Sequence, residues 1–501
     1  MSPGERIGSF AADPTSLLLY LVAAVPFAAV ALLASRAALT LAAVGVALGA
    51  AYLLWSAYVV DRKPALERYF GVRGFLVAAV GCGLFAATRV HLVALDVVYL
   101  AAFVLVAFYY WVVGAGALAS AGAEGPTVDD DALPSVSVLV PAYDEAGYIG
   151  ETVRSVLETE YDPERLEVIV VDDGSTDDTA AEAAAVDSDL VRVVSKSNGG
   201  KHSALNYGLL FASNEVVVTV DADTTLESDS LRRLVAPFVD EPDLGGVAGT
   251  IRVANRSGLL GRCQALEYVV GINLKRRLFD RLGAVTIVPG CFGAFRREAL
   301  ETVSGYEPDT LTEDFDVTMK VLRAGYRVRA SDAVATTEAP DDWRSLYRQR
   351  LRWYRGNLLT LVKHGDVLGE SEAGYLHRLA YPLWLVESLF LPAAGVVVLG
   401  AVGWSLATGE TAVVATLVAF LALVGVALAL AVRLGDEDPR LLLVAPLLVV
   451  GYKTVVDLVL LRSLCDVVTG RYVTWTHPDR IRQTTEAATA EPSTTETSTA
   501  G

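Results

Sequence analysis

The sequence predicts an α/β domain with a mixed, mostly parallel sheet, inserted between two groups of transmembrane helices. Three observations carry this expectation. The 501 residues are 53% hydrophobic yet bear a formal net charge of −18, which is consistent only if the apolar residues are gathered into membrane spans and the acidic ones into a water-exposed part. Apolar stretches near the ~20 residues that a bilayer core demands of a helix fall into two groups, and these bracket a polar block from Gly122 to Glu370. Inside that block, apolar β-type runs alternate with helical patterns, which describes a parallel sheet covered on both faces.

The first apolar group is Leu17–Ala34, Ala37–Val60, the shorter Gly74–Thr88 and Val93–Leu118, giving three or four spans within residues 1–121. The second is Leu379–Leu406, Ala412–Val432 and Leu441–Leu464, about three spans within 373–468. Lys453 and Asp457 mark the last of these as something other than a simple crossing. Arg62, Lys63, Arg68 and Arg73 cluster in one short loop, which places that loop in the cytoplasm. A hairpin of two spans then returns the chain to the same side, so the polar block is expected in the cytoplasm of a multi-pass plasma-membrane protein. Within the block, "SVSVLVP" (135–141), "LEVIVVDD" (166–173), "LVRVVS" (190–195) and "EVVVTVDAD" (215–223) read as strands. Helices are expected between them, through Thr152–Leu157, in the capped run "STDDTAAEAAAV" and in "GKHSALNYGLLFAS". Residues 122–340 form the expected catalytic domain, and 341–372 an amphipathic interfacial helix with Trp343, Tyr347, Trp353 and Tyr354 among many arginines. The tail, 469–501, is polar, Thr/Ala/Glu-rich and without apolar period, and is expected to be largely disordered.

Composition excludes some classes. Only seven of the 41 basic residues are Lys, and with a surplus of carboxylates this points to a halophile's surface. No basic run is long enough to neutralise a nucleic-acid backbone, so nucleic acid is excluded as a partner. Cys82, Cys263, Cys291 and Cys465 lie far apart without ligand spacing, which argues against zinc and disulfides and for small buried residues.

The chemistry gathers where strands end, as ligand sites on open α/β sheets do. In "VVVTVDADTTL", Asp221 and Asp223 share a face if the strand stays extended through Ala222. Two converging carboxylates suit a hard divalent cation, Mg²⁺ or Mn²⁺, which prefers oxygen ligands and is commonly shared with a substrate diphosphate. Taken alone, the triplet reads equally as a solvated turn.

Other motifs stand in order beside it: "VPAYDEAGYI", "VDDGSTDD", "SNGGKHSALNYG", "VPGCFGAF", "TEDFDVTMK" and "RQRLRWYRG". The set resembles family 2 glycosyltransferases, and specifically their membrane-embedded processive branch of cellulose, chitin, hyaluronan and poly-N-acetylglucosamine synthases. That resemblance covers Ser135 to Gly356. It implies a GT-A-type fold and an inverting, metal-dependent transfer from a UDP-sugar donor to a growing β-linked glycan acceptor, with membrane lipid as the surrounding partner. By resemblance, Tyr143 and Asp173 hold the uracil, with Glu145 and Asp172 as neighbours in the same pocket, and Lys201 faces the diphosphate. Asp221 faces ribose or metal, Asp223 is the metal ligand proper, and Asp314 is the general base, with Glu313 and Asp316 as alternatives in the same run. Gln349 and Arg352 take the diphosphate side, Trp353 floors the acceptor, Glu313 lies on the acceptor side, and Gly290 and Gly293 leave room for sugar. Gln349, Arg352 and Trp353 fall on one side of a helix.

The chain departs from some of that branch: no gating loop clearly follows the QxxRW motif, and no room remains for a cyclic-dinucleotide-binding domain. Two other readings compete with polymer synthesis. One is transfer of a single sugar to a carrier lipid such as dolichyl phosphate; the other is a membrane sensor or transporter that binds nucleotide and catalyses nothing.

Overall fold

A computed structural model of the protein describes residues 128–408, 424–425 and 428–470. Eight strands form one sheet: β1 (Val136–Ala142), β2 (Leu166–Asp172), β3 (Val191–Ser195), β4 (Val216–Val220), β5 (Thr224–Leu226), β6 (Leu244–Val253), β7 (Phe292–Arg296) and β8 (Arg327–Thr337). Their order is β3-β2-β1-β4-β7-β6-β8-β5. β1 pairs in parallel with β2 and β4, and β2 with β3. β7 runs antiparallel to β4 and β6, β8 parallel to β6, and β5 antiparallel to β8. The expected mixed, mostly parallel sheet is present.

The parallel half follows from its sequence. Val138, Leu139 and Val140 of β1 and every residue of β4 are buried, as strands covered on both faces must be. The helices between them are α1 (Ile149–Leu157), α2 (Thr179–Ala184) and α3 (Lys201–Leu209). The start of α2 is held by Asp177, whose Oδ1 accepts the Thr179 backbone N–H at 3.0 Å. Because β2, β1 and β4 are neighbours pointing the same way, their carboxyl ends deliver Asp173, Tyr143 and Asp221 to one edge of the sheet.

The second half adds α4 (Leu259–Glu267), which continues through a wide turn, Tyr268–Leu274, into Lys275–Asp280. It also adds α5 (Glu313–Arg323) and the long α6 (Trp343–Lys363). Asp342 caps α6, accepting the N–H groups of Arg344 and Ser345 at 2.7 and 3.0 Å. A last helix, α7 (Lys453–Val468), packs along α6. Buried Arg355 of α6 pairs there with buried Asp466 of α7.

Among the described residues one helix, Leu376–Val397, is long and apolar enough to cross a membrane by length and composition; it overlaps the expected Leu379–Leu406. The spans expected within 1–121, most of Ala412–Val432 and the tail beyond 470 lie outside the described residues. Leu441–Leu464 is helical throughout but changes type, from a tight 3-10 turn at Pro439–Val444 through a wide one at Leu448–Tyr452 into α7. Its Lys453 and Asp457, one helical turn apart, form an ion pair with each other. Trp343 and Tyr347 are exposed on α6.

Candidate active site

A cavity of about 430 Å³ opens at the carboxyl ends of the parallel strands. Tyr143, Glu145, Asp173, Lys201, Asp221, Asp223, Gly290, Glu313, Asp314, Gln349, Arg352 and Trp353 all line it. Three helices and the loops beside the strand ends therefore bring twelve of the fifteen expected site residues onto one surface. Gly293 and Asp316 lie off it, and so does Asp172. It is buried, points away from the cavity and holds the strand-to-helix turn, its Oδ1 accepting the Ser175 N–H at 3.0 Å.

The first loop is built by side chains from the second. Asp144, left-handed at φ 52°, donates its N–H to Ser175 Oγ at 3.0 Å and accepts the Thr176 N–H at 2.7 Å. The N–H groups of Glu145, Ala146 and Gly147 go to Thr179, Asp177 and Glu182 at 2.7, 3.1 and 2.7 Å. The acidic "STDD" run is thus the frame that presents Tyr143 and Glu145 to the cavity.

Asp173 is engaged differently from the resemblance's expectation of a base N–H. One oxygen accepts from Lys196 Nζ at 2.5 Å, and the pair accept the N–H groups of Gly199 and Gly200 at 3.1 and 2.7 Å. The carboxylate ties down the glycine loop and so sets where α3, and Lys201 at its first residue, begins.

β4 ends at Val220, one residue before the first aspartate. Thr224 donates its N–H to the Asp221 carbonyl at 3.0 Å, so Asp221–Thr224 is a turn. The extended geometry expected through Ala222 does not persist, because the chain must reverse to enter β5. Both carboxylates still reach the cavity. Lys201 Nζ lies 2.5 Å from Asp221 Oδ1 and 3.6 Å from Glu313 Oε1. Burial opposes its charge, but Asp221 and Glu313 together hold the ammonium above the ordinary lysine range. The Thr224 and Thr337 hydroxyls lie 3.4 Å from Asp223 Oδ1. Two carboxylates with hydroxyls beside them are a hard-oxygen donor set, which fits a divalent cation of the Mg²⁺ or Mn²⁺ kind.

At the cavity, α5 begins with Glu313 and Asp314. Asp314 Oδ2 accepts the Gly290 N–H at 3.2 Å, and the Thr318 hydroxyl donates to the Asp314 carbonyl at 2.6 Å. Burial raises the Glu313 carboxyl above its usual range, with Lys201 and Arg352 opposing. Gly290 does not clear space for sugar in this arrangement: a Cβ there would lie 2.8 Å from Lys201 Nζ. Gly293 is a packing position, where a Cβ would come 2.2 Å from Val288 Cγ1.

Asp316, the other expected alternative as base, is fully buried away from the cavity. It accepts from Lys363 and meets His364 Nε2, both at 2.9 Å. With Glu307 and Asp309 it forms a group of carboxylates close enough to hold a metal. Lys363 Nζ already sits 2.6, 2.9 and 2.9 Å from the three, so the group carries its own cation.

Several cavity residues escape sequence reasoning. Arg350 is 1% exposed, lies 2.6 Å from Glu267 and stacks 4.3 Å from the Trp353 ring centre. It also donates to Gln349 Oε1. Arg276, buried beside them, donates to the Gly249 carbonyl at 2.5 Å, and burial lowers its pKa to about 10. Lys275 pairs with Glu387 at 2.7 Å and lies 3.7 Å over the Trp384 ring. These sit in helices whose charges look solvated in one dimension; only their distant partners reveal them as buried. Of the cysteines, Cys263 is buried as expected, Cys291 is half-buried on the cavity wall and Cys465 is exposed. Burial holds the Cys291 thiol well above the ordinary range.

Comparison with known proteins agrees with this geometry. Residues 137–304 match the family model "Glycosyl transferase family 2". A poly-beta-1,6-N-acetyl-D-glucosamine synthase of Staphylococcus aureus (strain MSSA476) is 33% identical over 241 residues, 48% of this chain and 58% of that protein. The Staphylococcus epidermidis synthase of the same name is 33% identical over 234 residues, 46% and 56% of the two chains. The chain thus spans little more than half the length of these curated relatives. Among solved structures, the mannosyltransferase PcManGT from Pyrobaculum calidifontis, in complex with GDP-Man and Mn²⁺, superposes with a TM-score of 0.54. Its identity is 24%, over 76% of this chain and 98% of that one; this is a likeness of fold. The part of the chain that carries the cavity from Tyr143 to Gly290 is thus the part that is similar to glycosyltransferases of family 2.

Proposed function

We propose that this protein is an inverting, metal-dependent polysaccharide synthase, transferring a sugar from a UDP-sugar to the end of a β-linked glycan and passing that glycan through its own membrane helices. The observation that carries the reading is the gathering of three groups in one cavity: Asp221, Asp223 and Lys201, then Glu313 and Asp314 at the start of α5, and Gln349, Arg352 and Trp353 of α6. The name shared by the staphylococcal relatives makes UDP-N-acetylglucosamine the first donor to test.

Tyr143 packs against the base of the donor, and Asp173 acts through the glycine loop that it holds. Lys201 and Arg352 offer positive charge to the diphosphate. Asp223 and Asp221 are the residues that would hold a divalent cation, which when bound neutralises charge on the leaving diphosphate. Trp353 provides an apolar face for the acceptor sugar. Asp314 takes the proton from the acceptor hydroxyl as that oxygen attacks the anomeric carbon from the face opposite the leaving group. The new C–O bond forms, the bond from the anomeric carbon to the phosphate oxygen breaks, and UDP leaves with the electron pair. One displacement inverts the anomeric centre.

The helix Leu376–Val397, whose first turns supply Trp384 and Glu387 to the same cavity, supports coupling of synthesis to passage through a membrane. The test is purified full-length protein with Mn²⁺ or Mg²⁺ and a panel of labelled nucleotide sugars, including UDP-N-acetylglucosamine and GDP-mannose, with products sized over time. Expected are polymers that lengthen with time, lost in Asp314→Asn. A panel giving only butanol-extractable glycolipid overturns polymer synthesis in favour of carrier-lipid transfer, and a panel giving no transfer overturns the enzymatic reading.

A further inference from the structure

We infer that Lys201 competes with the divalent cation for Asp221, so that metal binds tightly only when the donor's diphosphate draws the lysine away. The inference rests on the reading of the cavity as a metal-assisted nucleotide-sugar site, and adds to it an order and a coupling.

The ammonium has a built seat. Nζ is 2.5 Å from Asp221 Oδ1, and the side chain is 20% exposed. Position 290 can only be glycine while Nζ is there, since a Cβ would stand 2.8 Å away. Glu313 lies 3.6 Å away, so a single cation is flanked by two carboxylates. Its backbone is fixed, because Asp173 accepts the N–H groups of Gly199 and Gly200 just before it. What can move is the four-carbon side chain, between Asp221, Glu313 and any anion entering the cavity.

An ammonium and a dication cannot share Asp221 Oδ1, since like charges a few ångströms apart repel strongly where water is scarce. Metal arriving alone must displace Lys201 with only Glu313 left to receive it. Metal arriving with a diphosphate brings the lysine a new partner that is itself doubly engaged. The two ligands should therefore bind with positive coupling, and the coupling must be the same read from either ligand.

Calorimetric titration of the purified full chain with MnCl₂, alone and with saturating UDP, tests this. Lys201→Met should bind Mn²⁺ alone about tenfold tighter than wild type, and UDP should tighten Mn²⁺ binding by a correspondingly smaller factor than it does in wild type. Lys201→Arg, which keeps the charge beside Asp221, should not show the tighter binding of Mn²⁺ alone, and circular dichroism of both variants reports on their folding. Equal Mn²⁺ affinity of wild type and Lys201→Met, with UDP coupling intact, overturns the inference alone. Absence of any Mn²⁺ site in wild type with UDP present overturns the site reading and the inference together.

Discussion

Gly290 and Gly293 look interchangeable in "VPGCFGAF", and the structure separates them. A methyl at 290 meets the movable tip of Lys201, whereas at 293 it meets Val288 and the Pro289 carbonyl, at 2.2 and 2.9 Å. Gly290→Ala is therefore expected to leave the melting temperature within a degree or two of wild type while tightening the binding of Mn²⁺ alone severalfold, since the ammonium is pushed from its seat beside Asp221. Gly293→Ala should lower the melting temperature instead, as overpacking a filled core costs about 1–3 kcal/mol. Calorimetry on both variants checks the contrast, and a reversed pattern would refute this placement of the lysine. Residues at strand ends were legible in the sequence because apolar runs announce where strands stop, and ligands collect there. Asp172 and Asp173 show the limit: adjacent side chains at a strand end face opposite ways, and nothing in the pair says which one meets the cavity.

At the scale of elements, legibility followed the hydrophobic pattern. β1, β2, β3 and β4 stand out as apolar runs between helical segments; the first three were placed within a residue, and β4 ends three residues before the expected Asp223. β5 has three residues, and β8 reads "RVRASDAVATT", with half its positions partly exposed. Neither shows a period that would separate it from loop: β5 is a short edge strand, and it covers β8 only over Ala335–Thr337, so neither needs a continuous apolar run. The QxxRW segment was readable as a helix, but not the means of its attachment. Arg350 and Arg355 are buried on α6 and reach Glu267 and Asp466, 83 and 111 residues away. Removing one member of a buried pair leaves the other charge stranded, at a cost of about 3–5 kcal/mol. Arg350→Met should thus lower stability, by less than that amount because Glu267 is 24% exposed, and, because the guanidinium lies against Trp353, shift tryptophan emission. Adding Glu267→Gln should restore part of the stability by removing the orphaned charge. If the double variant is no better than the single, the pair does not anchor the helix.

Across the whole molecule, the domain and the helices that follow it are joined at a charged seam. Lys363, at the end of α6, binds Glu307, Asp309 and Asp316. Arg323, at the end of α5, binds Asp366 and Glu370 at 2.7 and 2.6 Å. The helix that carries Asp314 is in this way tied to the segment leading into Leu376–Val397. The hydrogen bonds from Lys320 and Lys363 hold the Glu307 carboxyl down at about 2, below its ordinary 4.5, and His364 and Lys363 lower that of Asp316 against the opposing effect of burial. For a carboxyl whose pKa is lower in the folded state than in the unfolded one, the stabilisation is complete above the unfolded value. It is lost as pH falls through the folded value, because the unfolded chain then takes up the proton more readily. For Glu307 that window runs from about pH 4.5 down to about pH 2. Its side chain is 40% exposed, so solvent screening limits its share to about 1 kcal/mol or less. Glu307→Gln should melt slightly below wild type at pH 7, and the gap should close as pH falls through that window. A gap that stays constant from pH 7 to pH 2 would mean that the seam draws its strength from packing, and that the position of the Asp314 helix does not depend on these charges.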